Sequence, residues 1–341
     1  MSWDTIEGHE SIVTAFRNAA RRQRLGQAYL FVGPEGVGKH LFAGELAKTL
    51  LCENLDETFT ACGRCSSCHL VSVDTHPDLI RVARDEDKIN LTIGRMRELL
   101  GRLGLKAARN GRKVVIIDNV DDFNTEAANS FLKALEEPAA LTTFVLIGGG
   151  SIETQLETIV SRCQVIRFAP LSPALLGDML QRAGVADGVK RDRLIRLSGG
   201  SIGRALALRD DSLGEFRTTL LQGLAEVSPD FVRLAADWSK FVGDAGKEAS
   251  KKRRRATMVI RLLLEMLESA LRFSLPDATF DEDPSPEQET LRGLGERLGT
   301  ETLIACLDRC LEAGVHVDRL VQLDVVLEAL MDALGQKWRG G

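Results

Sequence analysis

The sequence predicts an α/β chain: a parallel sheet carrying a phosphate-binding loop, a zinc-knuckle insertion after that loop, and helices in the remainder. Three observations lead there. Gly33-Pro34-Glu35-Gly36-Val37-Gly38-Lys39-His40 fits the pattern GxxxxGK[ST] in all but its last residue. Cys52, Cys62, Cys65 and Cys68 stand close together at metal-ligand spacing. Beyond about Leu213 apolar residues recur at helical spacing and strand signals are few, as in Met258–Leu267 and Leu320–Leu330.

Taken in order, Met1-Ser2-Trp3-Asp4-Thr5-Ile6-Glu7 has neither the basic start nor the apolar core of a signal peptide. No apolar run is of bilayer-spanning length, so a cytoplasmic protein with no membrane partner is expected. Ala28-Tyr29-Leu30-Phe31-Val32 is a short apolar run, and Leu41–Leu50 has helical periodicity, which gives strand, loop, helix. In that setting backbone N–H groups cradle phosphates, the Lys reaches the outer oxygens, and a Ser/Thr hydroxyl ligates Mg²⁺. His40 replaces that hydroxyl, and a neutral imidazole is a poor ligand for a small hard cation. Gly33, Gly36, Gly38 and Lys39 are therefore expected to cradle phosphate while His40 holds the metal badly, so ATP or ADP binding is expected to be weak or absent. The bland alternative is a Gly-rich turn in an unrelated α/β protein.

Cys62-x-x-Cys65-x-x-Cys68 forms two overlapping CxxC steps, and Cys52 arrives from the end of the post-loop helix. Four soft ligands without a fifth point to a closed, structural Zn²⁺ site. His69 and His76 could substitute for a cysteine, but the all-thiolate set needs neither. The alternatives are unmetallated buried cysteines and an iron–sulfur cluster, whose ferredoxin spacing is missing. Lys113-Val114-Val115-Ile116-Ile117-Asp118 reads as a buried strand ending in an acid, and in phosphate-loop enzymes such an Asp completes the metal shell. The following residue, commonly a Glu that polarises water, is Asn119. An amide cannot accept a proton, so general-base catalysis is lost unless Asp121 or Asp122 reaches in. A helix over Asn124–Glu137, N-capped by Asn124, ends before Pro138; strands follow over Thr143–Ile147 and Val165–Phe168.

This combination resembles the bacterial clamp-loader family of AAA+ proteins, subunits of the DNA polymerase III holoenzyme. AYLFVGPEGVGK, the cysteine cluster, VVIIDNVD, NSFLKALEEP and IVSRCQ carry the resemblance, over roughly the first half of the chain. It implies a five-stranded AAA+ sheet domain with the four-cysteine zinc insertion over 52–68 (residues 1–169), a small helical lid domain (170–210) and an all-α collar domain (211–341). It also implies partners: gamma/tau and delta subunits in a hetero-pentamer, the sliding clamp, and primer-template DNA. Ser161-Arg162-Cys163 corresponds to the family's arginine-finger motif, with Arg162 acting in trans on a neighbour's nucleotide; a surface ion pair is the alternative. Gly199–Ala205 resembles the lid segment whose Arg, here Arg204, reaches phosphates. Gly148 stands where the family offers a polar sensor side chain.

His40, Asn119 and Gly148 all depart on hydrolysis rather than on phosphate cradling. The resemblance therefore implies a non-hydrolysing ring member; the alternative is an ATP-hydrolysing gamma/tau-type motor, against which the length is expected to speak only for the tau kind, since a truncated gamma form would be similarly long, so the degenerate catalytic residues decide. A zinc-dependent DNA-binding module outside replication is a third, weaker reading.

The 341 residues suit two or three domains, and 44% hydrophobic with 27% charged residues is a globular composition. A net charge of −5 opposes a wholly basic nucleic-acid surface while leaving room for a local patch. Lys251-Lys252-Arg253-Arg254-Arg255 is such a run, a solvated face or a DNA or acidic-partner contact. Phe280–Glu287 reads as an exposed acidic loop, and Cys306 and Cys310, one helical turn apart, as core thiols.

Overall fold

Five runs rich in β-branched and aromatic residues pair into one parallel sheet. They are β1 (Ala28–Val32), β2 (Leu79–Val82), β3 (Lys113–Asp118), β4 (Thr142–Ile147) and β5 (Gln164–Arg167), in the order β2-β3-β4-β1-β5. The computed structural model describes residues 2–83, 93–109, 111–123, 125–139, 141–275, 285–319 and 321–340. By contact it divides into two units, Met1–Leu206 and Ala207–Gly341.

In the first unit α1 (Glu10–Arg21) precedes the sheet, and between the strands lie α2 (Lys39–Leu51), α3 (Ser66–Ser72), α4 (Ile93–Gly104), α5 (Thr125–Glu136) and α6 (Glu157–Val160). Because strand side chains alternate, each strand feeds two cores. Tyr29, Phe31, Val114, Ile116, Val145 and Ile147 pack with Phe16 of α1 and Phe42 and Leu46 of α2. Leu30, Val32, Val115, Ile117 and Leu146 pack on the other face with Met96 and Leu99 of α4 and Phe131 of α5. Burial on both faces is what lets a parallel sheet stand. Fully buried Phe31, Phe42 and Phe131 contribute about 1.5–3 kcal/mol each.

Leu30 lies opposite Leu146 on one side and Val165 on the other, so β1 sits between β4 and β5. The carboxyl ends of β1, β3 and β4 thereby converge, the place where such sheets bind ligands. Three further helices, α7 (Pro173–Arg182), α8 (Gly188–Ser198) and α9 (Ile202–Ala207), follow the sheet. Ser172 and Asp187 cap the first two of these by accepting backbone N–H groups.

The second unit is helical: α10 (Asp211–Ala225), α11 (Phe231–Gly243), α12 (Ala249–Phe273), α13 (Pro286–Asp318) and α14 (Leu323–Gly340). Its core gathers Trp238, Leu263, Met266, Leu327 and Leu334, and holds Cys306 and Cys310 as buried thiols. Helix α13 breaks at Gly299, whose φ of 70° and ψ of 167° exclude a side chain.

The expected strands at 28–32 and 113–118 are found with those ends, whereas β4 and β5 begin one residue before the expected Thr143 and Val165. The strand β2 has no counterpart among the strands read from the residues. Asn124 and residues 280–284 of the acidic loop lie outside the described residues. Among the described residues no helix is long and apolar enough to cross a membrane.

Candidate functional site

Gly33, Gly36 and Gly38 have φ of 140°, 76° and 108°, so the loop after β1 curls through conformations that L side chains rarely adopt. Its carbonyls are tied from several sides. Lys39 turns its ammonium back onto Gly33 O at 2.5 Å and Pro34 O at 2.7 Å. Burial pushes the Lys39 ammonium below the usual lysine range, against the pull of Glu35, Asp118 and Asp121. Buried His9, just before α1, lies 2.8 Å through Nε2 from Val37 O, which requires the Nε2–H tautomer. Nothing in the residues around His9 announces this role.

At the carboxyl end of β3, Asp118 meets His40: Nε2 stands 2.6 Å from Oδ1. The imidazole thus occupies the acid that would complete a metal shell. Asn119 sits in the left-handed region, φ 52°, which Asn tolerates better than most residues. Asp121 accepts the Gly149 N–H at 2.5 Å and also the Gln155 amide. Gln155 explains Gly148. A Cβ at 148 would stand 2.7 Å from Gln155 Oε1, so the side chain missing at the end of β4 has been replaced in space by a buried amide from further along. No motif in the sequence marks Gln155.

The start of α9, expected to belong to a lid, packs on the loop. Gly203 N donates to Gly36 O at 3.0 Å, and a Cβ on Gly203 would stand 2.9 Å from Gly36 Cα. Arg204 lies one residue on, its Nε buried without a hydrogen-bond partner and its guanidinium near Gly199.

The four cysteines converge. Their Sγ atoms all lie within 4.8 Å of one another, and Cys52 and Cys65 are 4.0 Å apart. Thiolates at tetrahedral Zn–S distance are about 3.8 Å apart, so the set fits one ion. Cys52 is the residue that ends α2, and Cys65 caps α3, accepting the Cys68 N–H at 3.4 Å. Backbone N–H groups of Arg64 and Cys65 help hold the Cys62 thiol down to about 6, whereas burial pushes Cys68 up. A central cation is what allows all four to ionise together. His76 is spent elsewhere: its Nδ1 accepts the Asp78 N–H and its Nε2 reaches Ser67 Oγ at 3.1 Å, while His69 is exposed on α3. Arg109 closes the base of the knuckle with Glu53 at 2.9 Å.

Arg162 precedes β5 by two residues. Since β5 runs parallel to β1, with Gln164 opposite Tyr29, Arg162 lies at the amino edge of the sheet and the loop at its carboxyl edge. Five residues of strand separate the two edges by about 16 Å. Arg162 pairs with Glu136 at the end of α5. Cys163 packs against the core, and burial pushes its thiol up to about 12.

Residues 8–172 match the sequence family described as DNA polymerase III, delta subunit. The DNA polymerase III subunit delta' of Pseudomonas aeruginosa is 29% identical over 93% of this chain and 93% of its own length. The subunit delta' of Bacillus subtilis is 33% identical over 65% of this chain and 66% of its own length. The subunit tau of Escherichia coli is 32% identical over 61% of this chain and 32% of its own length.

Proposed function

Because this chain belongs to the family of bacterial DNA polymerase III delta-prime subunits, AAA+ proteins to which gamma and tau are related, we propose that it is a clamp-loader subunit. In this reading it joins gamma/tau and delta subunits in a five-membered ring, hydrolyses no ATP itself, and supplies Arg162 to a neighbour's nucleotide while the ring places a sliding clamp on primed DNA. The single observation that carries the non-hydrolysing part is the His40–Asp118 contact of 2.6 Å. An imidazole on that carboxylate competes with Mg²⁺ for it, and an amide at 119 cannot take the proton of an attacking water.

Mg²⁺, were it held, would neutralise charge on the transferring phosphoryl group. The chain's own residues do something else. Gly33, Gly36 and Gly38 keep the loop curled, Lys39 is spent on the loop's carbonyls, and Arg204 Nε is a spare donor for an anion. Cys52, Cys62, Cys65 and Cys68 hold Zn²⁺ in a closed site that supports folding. The position of Arg162 on the sheet edge away from its own loop supports action on a second subunit.

Two measurements test the reading. Isolated protein assayed for ATP turnover alongside nucleotide-binding calorimetry should show no turnover and weak or no binding; a motor-like rate would favour the gamma/tau-type alternative instead. Reconstituted loader carrying Arg162→Ala should assemble yet turn over ATP more slowly, since a finger contributes about 10³ or more at its own site. An unchanged rate would return Arg162 to the role of a surface ion pair.

A further inference from the structure

A guanidinium has five N–H groups, and gripping a phosphate with two parallel ones needs two of them free. Arg162 has fewer to offer. Its Nε donates to Glu136 Oε1 at 2.8 Å, and its Nη2 also donates to that oxygen. Nη1 donates to Thr158 O at 2.9 Å and to Ser161 Oγ at 3.1 Å. One hydrogen, on Nη2, is left over.

We propose that Glu136 parks Arg162: its carboxylate holds the guanidinium against its own subunit, and the neighbour's phosphate must displace it before the finger engages. The proposal rests on the reading of Arg162 as a finger acting in trans. A second feature favours a purpose beyond helix stability. Glu136 is the last residue of α5, where the negative end of the helix dipole disfavours a carboxylate. An acid placed there against the local field, and turned onto an Arg from another element, is placed for its pairing. The side chains are 32% and 49% exposed, so the contact is within reach of an approaching subunit and weak enough to exchange. A phosphate carries more negative charge than a carboxylate and presents oxygens that match both edges of the fork. The pair is therefore intact in the nucleotide-bound ground state and is broken on the way to the transition state, so its small free energy is added to the barrier.

The test compares four reconstituted loaders: unaltered, Arg162→Ala, Glu136→Gln, and the double variant. Gln keeps helix propensity and removes a charge the dipole disfavours, so folding and assembly are retained. Glu136→Gln should raise kcat for ATP by about two- to five-fold, the rate equivalent of releasing an exposed ion pair, with KM unchanged. The double variant should match Arg162→Ala, because there is no longer a finger to release. If Arg162→Ala alone leaves turnover untouched, the finger reading fails. If Arg162→Ala slows turnover but Glu136→Gln leaves it unchanged, slows it, or fails to assemble, the finger stands and the parking role is overturned.

Discussion

At the scale of single residues, Lys39 and His40 take polar partners from within the chain. Lys39 holds Gly33 O and Pro34 O, so Lys39→Ala should lower stability in the absence of any nucleotide, by about 1–3 kcal/mol in urea unfolding, since it strips charged hydrogen bonds from half-buried carbonyls. No loss of stability would mean that Lys39 is free to serve a ligand. His40→Thr should release Asp118 and improve Mg²⁺-dependent nucleotide binding in calorimetry, while hydrolysis stays low. Turnover needs Glu at 119 as well, and that residue must be accommodated at a φ of 52°, which costs about 1–2 kcal/mol. Robust turnover from His40→Thr alone would show that Asn119 was never the limiting defect.

At the scale of elements, the knuckle between α2 and β2 is a small loop-rich segment held by its thiols and by the Arg109–Glu53 and His76–Ser67 contacts. Metal analysis should find one Zn²⁺ per chain, and Cys65→Ser should lower the melting temperature more than it lowers loader activity, because a closed site supports folding and leaves no open position for chemistry. Zinc retained after all four cysteines are replaced would remove the assignment. The basic run at the start of α12 is a different case. Arg253 donates to Val317 O at the end of α13 and to Val321 O just beyond it, and Arg255 donates to Phe241 O near the end of α11 while lying 4.8 Å over the Phe241 ring. Both bind helix ends rather than solvent. Only part of the run remains for a partner, with Lys251 and Arg254 exposed.

For the molecule as a whole, the sheet unit has its two cores filled by its own aromatic and aliphatic side chains, and at the carboxyl ends of its strands His40 answers Asp118 and Gln155 answers Asp121. A ligand that binds only the folded state adds stability as RT ln(1 + [L]/Kd), about 2.7 kcal/mol at a hundred times Kd. Millimolar MgATP should therefore leave the thermal midpoint nearly unchanged. A rise of several degrees would show a competent nucleotide site and undo the account of His40 and Lys39. The same experiment with a zinc chelator should lower the midpoint, which separates the two candidate sites by their opposite demands on added ligand.

The amino-acid sequence alone determined what neighbours along the chain determine: the strand, loop and helix around Gly33–Lys39, the strand ending at Asp118, the convergence of Cys62, Cys65 and Cys68, and the burial of Cys306 and Cys310 one turn apart. Each is a short-range pattern of period or spacing, and each fixes local geometry without help from the rest. Strand β2 escaped because its four residues, one of them the exposed Arg81, stand beside no motif, whereas the equally short β5 follows Ser161-Arg162-Cys163. The tertiary structure decided everything that joins distant segments: His40 on Asp118, His9 beneath the loop, Gln155 in the space above Gly148, and Glu136 on Arg162. In those pairs neither partner's sequence surroundings specify the other. The sheet order brings the ends of β1, β3 and β4 side by side, and a polar group buried among them must take whichever partner the packing supplies.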